Sequence, residues 1–158
     1  MRKTIAIPTP IAEIWPIDDD GICTEIRFNL MPPNCKVEET TLLLQIKKEL
    51  TEYFDGTRKV FTIPIKTHGT PFQVKVWDAL QTIPYGLTVS YCHIATMVGD
   101  PKAVRAVGLA NKRNRLPILI PCHRVIGKDG RLVGYNGGLN LKELLIKHEQ
   151  QYNDNNKR

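Results

Sequence analysis

The chain has 158 residues and a mass of 17.9 kDa, with 42% hydrophobic residues, 24% charged residues and a net charge of +6. That composition suits a folded chain of one ordinary domain or a small domain with an appendage, and it excludes a disordered protein. The longest apolar run, around Leu116 to Cys122, falls far short of the roughly 20 residues a membrane helix needs, so membrane functions are excluded and the cytoplasm is the expected compartment.

Asp18-Asp19-Asp20-Gly21 reads as a turn, after which Ile22, Thr24, Ile26, Phe28 and Leu30 alternate with Cys23, Glu25, Arg27 and Asn29. That period of two predicts a half-buried strand. Beyond Pro32-Pro33, Leu43, Ile46, Leu50 and Tyr53 recur at helical spacing until Asp55-Gly56, and Val60 to Ile65 reads as a further strand. Residues 1–68 are therefore expected to form a small α/β domain with an antiparallel sheet.

From Thr70 the character changes. Thr70-Pro71-Phe72-Gln73 places a capping hydroxyl, a proline at the first helical position and a glutamine where a capping box needs it. The helix that follows runs through Trp77 and Leu80. A second starts at Ser90 and ends at Gly99, and a third is predicted from about Lys102 to Lys112. Helices separated by Gly-containing turns have the layout of a helix-turn-helix. Residues 1–65 carry 8 Lys/Arg against 10 Asp/Glu, whereas residues 66–158 carry 14 against 6, so a polyanion-facing surface belongs to the second half. The third helix combines small Ala103, Ala106, Gly108 and Ala110 with cationic Lys102, Arg105, Lys112 and Arg113. Two readings fit it, tight helix packing with solvated cations or a helix pressed into a DNA groove.

The chemical centre lies at residues 117–125, P-I-L-I-P-C-H-R-V, a strand-like run interrupted by Pro121 and followed by Cys122, His123 and Arg124. The thiolate is the nucleophilic form of cysteine, and a pKa near ~8.5 leaves little of it at neutral pH unless cationic neighbours lower that value. Here His and Arg are adjacent in sequence. Cys23, Cys35 and Cys92 have no such setting and read as structural thiols.

The second half resembles the methylated-DNA–protein-cysteine methyltransferases, also called O-6-alkylguanine-DNA alkyltransferases. The resemblance covers residues 69–149 through G-T-P-F-Q-x-x-V-W (69–77), I-P-Y-G (83–86), S-Y (90–91), R-A-V-G (105–108), I-P-C-H-R-V (120–125), G-Y-x-G-G-L (134–139) and H-E (148–149). It implies a mainly helical, winged helix-turn-helix-like C-terminal domain over residues 69–150 that carries the active site; the polar residues 151–158 carry no family signature and are expected to be a disordered tail. It also implies DNA repair by a single-turnover, irreversible transfer of the alkyl group from O-6-alkylguanine to Cys122, with O-4-alkylthymine open as a second substrate.

By the same resemblance, Cys122, His123 and Glu149 would form a water-linked chain that makes the thiolate, and Tyr91 would assist the leaving base. Pro117, Asn114, Val125, Tyr135 and Asn136 would shape the substrate pocket, with backbone groups of Cys122, Val125 and Asn136 holding the base. Asn136 stands where relatives often have serine or alanine, a change that reshapes the alkyl pocket, and Leu87 stands where many are polar or acidic. Arg105 would fill the gap left by a base flipped from the minor groove, on the helix face of Ala103, Ala106 and Gly108, with Lys102, Lys112 and Arg113 on phosphates. The implied partner is alkylated double-stranded DNA bound by a monomer, and no metal or organic cofactor is implied. The competing classes are a base-flipping binding protein, a helix-turn-helix regulator and a Cys-His hydrolase. Cys122 speaks against the first, the lack of a sensing domain against the second, and the Arg105 helix against the third.

Overall fold

The structure is a computed structural model that describes residues 1–132, 135 and 138–153. It divides into two compact units, Met1–Thr67 and His68–Arg158.

In the first unit, β3 (Glu13–Asp19) is the spine of a five-stranded sheet. On one side it pairs antiparallel with β4 (Ile22–Phe28), and on the other with β1 (Arg2–Thr4) and β2 (Ile7–Pro8); β5 (Lys36–Val37) runs parallel to β1. The predicted turn is narrower than its four residues, because Asp18 and Asp19 belong to β3. Asp20 and Gly21 alone turn the chain, with φ of 52° and 90°, the left-handed pair that matches the twist of a two-residue hairpin. Pro16 sits inside β3 where the β1 pairing has ended and that of β2 has not begun, and its carbonyl accepts from Thr4 Oγ1 at 2.6 Å. A proline is tolerated there because that stretch of edge has no partner strand.

Helix α1 (Thr41–Asp55) is capped by Thr40, whose hydroxyl accepts from Leu43 N, and is stopped by Gly56 at φ 88°. It buries Leu43, Ile46, Leu50 and Tyr53, the stripe expected from their spacing. Val60 to Ile65 is not a strand: only Ile65 forms a bridge, to Cys23. The segment is held instead by Glu49, whose carboxylate accepts from both the backbone N and the hydroxyl of Thr62.

In the second unit, α2 (Pro71–Leu80) opens with the reciprocal Thr70–Gln73 capping box. Trp77 lies so close to Gly69 that a Cβ there would fall 2.6 Å from its ring, and the indole Nε1 donates to Ala110 O at 2.9 Å. α3 (Tyr91–Met97) is capped by Ser90, and α4 spans Val104–Lys112. The third helix thus starts two residues later than expected: Ala103 is its N-cap and Lys102 lies in the preceding turn. Two short parallel strands, β6 (Val89–Ser90) and β7 (Val125–Ile126), pair Val89 with Val125. That pairing brings the start of α3 to the residues after Cys122. The last helix, α5 (Leu139–Tyr152), continues into the segment expected to be a tail, and Asn153 is buried at its end; residues 154–158 lie outside the described residues.

Candidate active site

Residues 117–125 form a knot of turns in place of the expected strand. Pro117 bridges to Ile120, and Ile118 holds φ 74°, a strained value for a β-branched residue. Cys122 N donates to Ile120 O at 2.7 Å around Pro121, and Cys122–Arg124 is a single 3-10 turn. Two asparagines grip this turn. Asn114 Nδ2 donates to Ile120 O at 2.9 Å while its Oδ1 accepts from Leu116 N, and Asn111 Nδ2 donates to Cys122 O at 3.2 Å.

His123 and Glu149 are both buried, and Nε2 of the imidazole lies 2.6 Å from Glu149 Oε2. Burial alone would raise the carboxyl pKa, but His123 and then Arg124 outweigh it through charge and hydrogen bonds and hold Glu149 well below the ordinary carboxylate range. An ionised carboxylate only accepts, so Nε2 is the nitrogen that donates to Glu149, and Nδ1 is the one left for the rest of the site. Among the described residues Nδ1 has no hydrogen-bond partner. Arg124 completes the cluster with Nε and NH2 on Glu149 at 2.8 and 3.0 Å and NH1 on Ile83 O at 2.6 Å.

This cluster gives I-P-Y-G a physical meaning. Ile83 supplies the carbonyl for Arg124, Tyr85 lies under the guanidinium at 5.7 Å, and Gly86 N donates to Glu149 Oε1 at 3.3 Å. Gly86 has φ 82°, and a Cβ there would meet Asn153 Nδ2 at 2.3 Å, so only glycine fits.

The Cys122 thiol is buried, and burial pushes its pKa up to about 11 against the hydrogen bond from Asn114 and the charge of Lys142. The expectation that adjacent cations lower it is thereby corrected. Arg124 and His123 direct their hydrogen bonds at Glu149, so sequence adjacency does not become electrostatic help. The cation that does help was missed. Lys142 is fully buried on α5, its Nζ 3.3 Å from the Tyr91 hydroxyl, and burial lowers its pKa to about 8 against the pull of Cys122. Tyr91 is buried too, pushed up to about 12 by burial and the Cys122 charge, with a hydrogen bond from Asn111 opposing the rise. A signal for Lys142 existed: Lys142, Leu145 and Glu149 stand at i, i+3 and i+7, a single helix face on which two charges interrupt an apolar pattern.

Of the expected pocket residues, Pro117, Asn114, Val125 and Tyr135 are buried, and Asn136 lies outside the described residues. On and before α4, Lys102, Arg105, Ala106, Lys112 and Arg113 are exposed, whereas Ala103 and Gly108 are half-buried. Ala110 does not share the exposed face; it is buried, with its carbonyl bonded to Trp77. The small residues therefore serve two purposes, since Gly108 and Ala110 face the protein and Ala106 faces solvent. Cys23 is buried as expected of a structural thiol, Cys35 is half-buried and Cys92 is exposed.

The model of the 6-O-methylguanine DNA methyltransferase DNA-binding domain matches residues 71–151. The constitutive methylated-DNA–protein-cysteine methyltransferase of Bacillus subtilis is 55% identical over 118 residues, 74% of this chain and 72% of that protein. The methylated-DNA–protein-cysteine methyltransferase of Methanosarcina acetivorans is 49% identical over 117 residues, 74% of this chain and 75% of that protein. Among solved structures, the Mycobacterium tuberculosis O6-methylguanine methyltransferase superposes with a TM-score of 0.89 at 37% identity, covering 96% of this chain and 94% of that one. The same organism's protein in complex with DNA gives 0.88 at 38% identity, covering 95% and 94%. With its I-P-C-H-R-V motif, its buried His–Glu pair and these relatives, the chain belongs to the 6-O-methylguanine DNA methyltransferase family.

Proposed function

We propose that this protein repairs alkylated double-stranded DNA by moving the alkyl group from the ring-6 oxygen of guanine onto Cys122, once per molecule. The observation that carries the reading is the buried His123–Glu149 pair next to Cys122 in the chain, with an imidazole Nδ1 that has no hydrogen-bond partner among the described residues. A water between Sγ and Nδ1 would relay the thiol proton to His123, and the Glu149 carboxylate stabilises the resulting imidazolium. The sulfur electron pair then forms the S–C bond to the alkyl carbon. The C–O bond breaks with its electrons going to the guanine ring, and the Tyr91 hydroxyl supplies the proton that neutralises the departing base. Lys142, whose Nζ donates to the Tyr91 hydroxyl, stabilises the phenolate left on Tyr91 and reprotonates it. The thiol proton held on His123 balances the proton given to guanine once the site re-equilibrates with water after the base leaves. The product thioether resists hydrolysis, so the protein is consumed.

The target atom is out of reach inside a duplex, so the base must swing out, at a cost of a few kcal/mol in stacking and pairing. Arg105, exposed on α4, is the residue proposed to fill the vacated stack, with Ala106 allowing close approach and Lys102, Lys112 and Arg113 on phosphates. Contacts of this kind read little sequence in the minor groove and weaken with salt. O-4-alkylthymine is a second substrate under this reading if the pocket tolerates the smaller ring.

Duplex DNA carrying a radiolabelled methyl on the guanine ring-6 oxygen tests the reading. Label is expected to reach one per protein and to map to Cys122, and Cys122→Ala is expected to take up none while still binding duplex. Catalytic turnover past one equivalent, or label on another residue, overturns the reading.

A further inference from the structure

Leu109 is 49% exposed on α4. On the same face Arg105 and Ala106 stand one turn before it and Lys112 and Arg113 one turn after it, all exposed, while Val107, Ala110 and Asn111 are buried on the opposite face. The helix carries no acidic residue. Among the described residues, the side chains of Arg105, Lys112 and Arg113 hold no hydrogen bond or ion pair. A lone exposed leucine is ordinary on a protein surface. This one lies between cations that have no acid to meet, and an apolar centre flanked by cations matches a duplex groove, whose rims are phosphate and whose walls are sugar. Charge complementarity therefore commits this face to duplex DNA.

The minor groove, about 6 Å wide, is too narrow for a helix backbone, so only side chains reach its floor. Ala106 is short and Arg105 is the residue assigned to the vacated stack, which leaves Leu109 to cover the floor. Four residues of helix separate it from Arg105, about 6 Å. At about 3.4 Å per base step, that distance is one or two pairs along the duplex. An A·T pair shows only acceptors in this groove, whereas a G·C pair adds the guanine 2-amino donor, which projects into it. A leucine over that amine displaces its water and offers no acceptor in return, and a donor left unsatisfied bears its full desolvation cost. Over A·T there is no such group to bury.

Building on the alkyl-transfer reading and on Arg105 as the stack-filling residue, we propose that Leu109 is a specificity-determining residue: it makes repair favour A·T over G·C at a pair one or two steps from the damaged guanine. The cations around it position the duplex without reading it, because phosphate contacts carry no sequence information.

The test is single-turnover methyl transfer at sub-saturating protein, from labelled duplexes that differ only at the pairs one and two steps to either side of the O6-methylguanine. Each of these pairs is A·T, G·C or inosine·C, the last keeping the major-groove face of G·C without the 2-amino group. Wild type is expected to repair the A·T duplex about fivefold faster than the G·C duplex at one of these steps, with inosine·C close to A·T. Leu109→Ala is expected to bring that ratio below about twofold with melting unchanged, and Leu109→Gln, which brings a carbonyl acceptor to the amine, is expected to erase it as well. The proposal is overturned by the absence of any A·T preference, by inosine·C reacting like G·C, or by a preference that both variants retain, which would trace it to the ease of opening the duplex. A wild type that takes up no label from any duplex overturns the parent reading instead, an outcome distinct from a wild type that reacts without preference.

Discussion

Each of the two units buries a cysteine and a glutamate, and the two pairs do opposite things. In the first, Cys23 is pushed up to about 12, chiefly by burial, and Glu49 spends its carboxylate on Thr62, Gln45 and Arg58. Those bonds pin the strandless segment after α1, while the Cys23 thiol donates to the Glu25 carbonyl at 3.7 Å. In the second, Cys122 is buried as deeply and is likewise pushed up by burial. Backbone groups of Glu25 and Ile17 oppose the rise at Cys23, whereas a side-chain hydrogen bond from Asn114 and the charge of Lys142 oppose it at Cys122. Glu149 there is bonded to a histidine whose other nitrogen stays open. Burial makes a thiol inert in both places, and the neighbours decide whether that inertness can be lifted.

The sharpest way to break this contrast is to exchange the losses. Cys122→Ala is expected to remove all label uptake, whereas Cys23→Ala keeps one label per protein and costs about 1–2 kcal/mol in a urea melt. Next come the carboxylates. Glu149→Gln is expected to slow transfer about a hundredfold and to cost about 3–5 kcal/mol, because Arg124 and His123 lose their buried counter-charge. Glu49→Gln should leave transfer unchanged and cost about 1–3 kcal/mol.

Acid titration separates Glu149 further. Its folded pKa lies below the unfolded value of about 4.3, so its stabilisation is complete above that pH and is lost as pH falls below it. Acid melts of the wild type are therefore expected to fall more steeply than those of Glu149→Gln.

Arg105→Ala is expected to slow repair in duplex by about tenfold to a hundredfold while leaving reaction with free O6-methylguanine base within about twofold. Equal losses on both substrates would move Arg105 from extrusion into chemistry or folding. The smallest effect is that of Lys142. Transfer is expected to decline as pH rises through about 8, where its ammonium is lost, and Lys142→Met is expected to be about tenfold slower at neutral pH with no such step. Stability runs the other way. Between about 8 in the folded protein and about 10.4 in the unfolded chain, the unfolded state holds the extra proton, so wild-type stability climbs with pH across that window. Denaturant melts of Lys142→Met should lack this slope.

Much of this site is legible in the residues themselves. The capping box, the Ser90 and Gly56 caps and the α1 stripe are local rules, and local rules survive folding. P-C-H-R-V marks the candidate centre because it sets a thiol, an imidazole and a guanidinium side by side. The errors came where tertiary structure overrules local pattern. Val60 to Ile65 has strand composition but is tethered by a glutamate from α1. The run before Cys122 is apolar enough for a strand, and the Asn111 and Asn114 amides bend it into turns. Lys142 was missed because a lysine on an amphipathic helix is ordinarily solvated, and only the packing of α5 on the acceptor turn reveals the exception.

The carboxylate that primes His123 follows it by 26 residues and arrives on α5. During synthesis the ribosome therefore makes the cysteine, the histidine and α4 before that carboxylate. A nascent chain carrying Cys122 but not yet α5 leaves the Arg124 guanidinium without its buried counter-ion, and the His123–Arg124–Glu149 cluster forms only as the last helix docks.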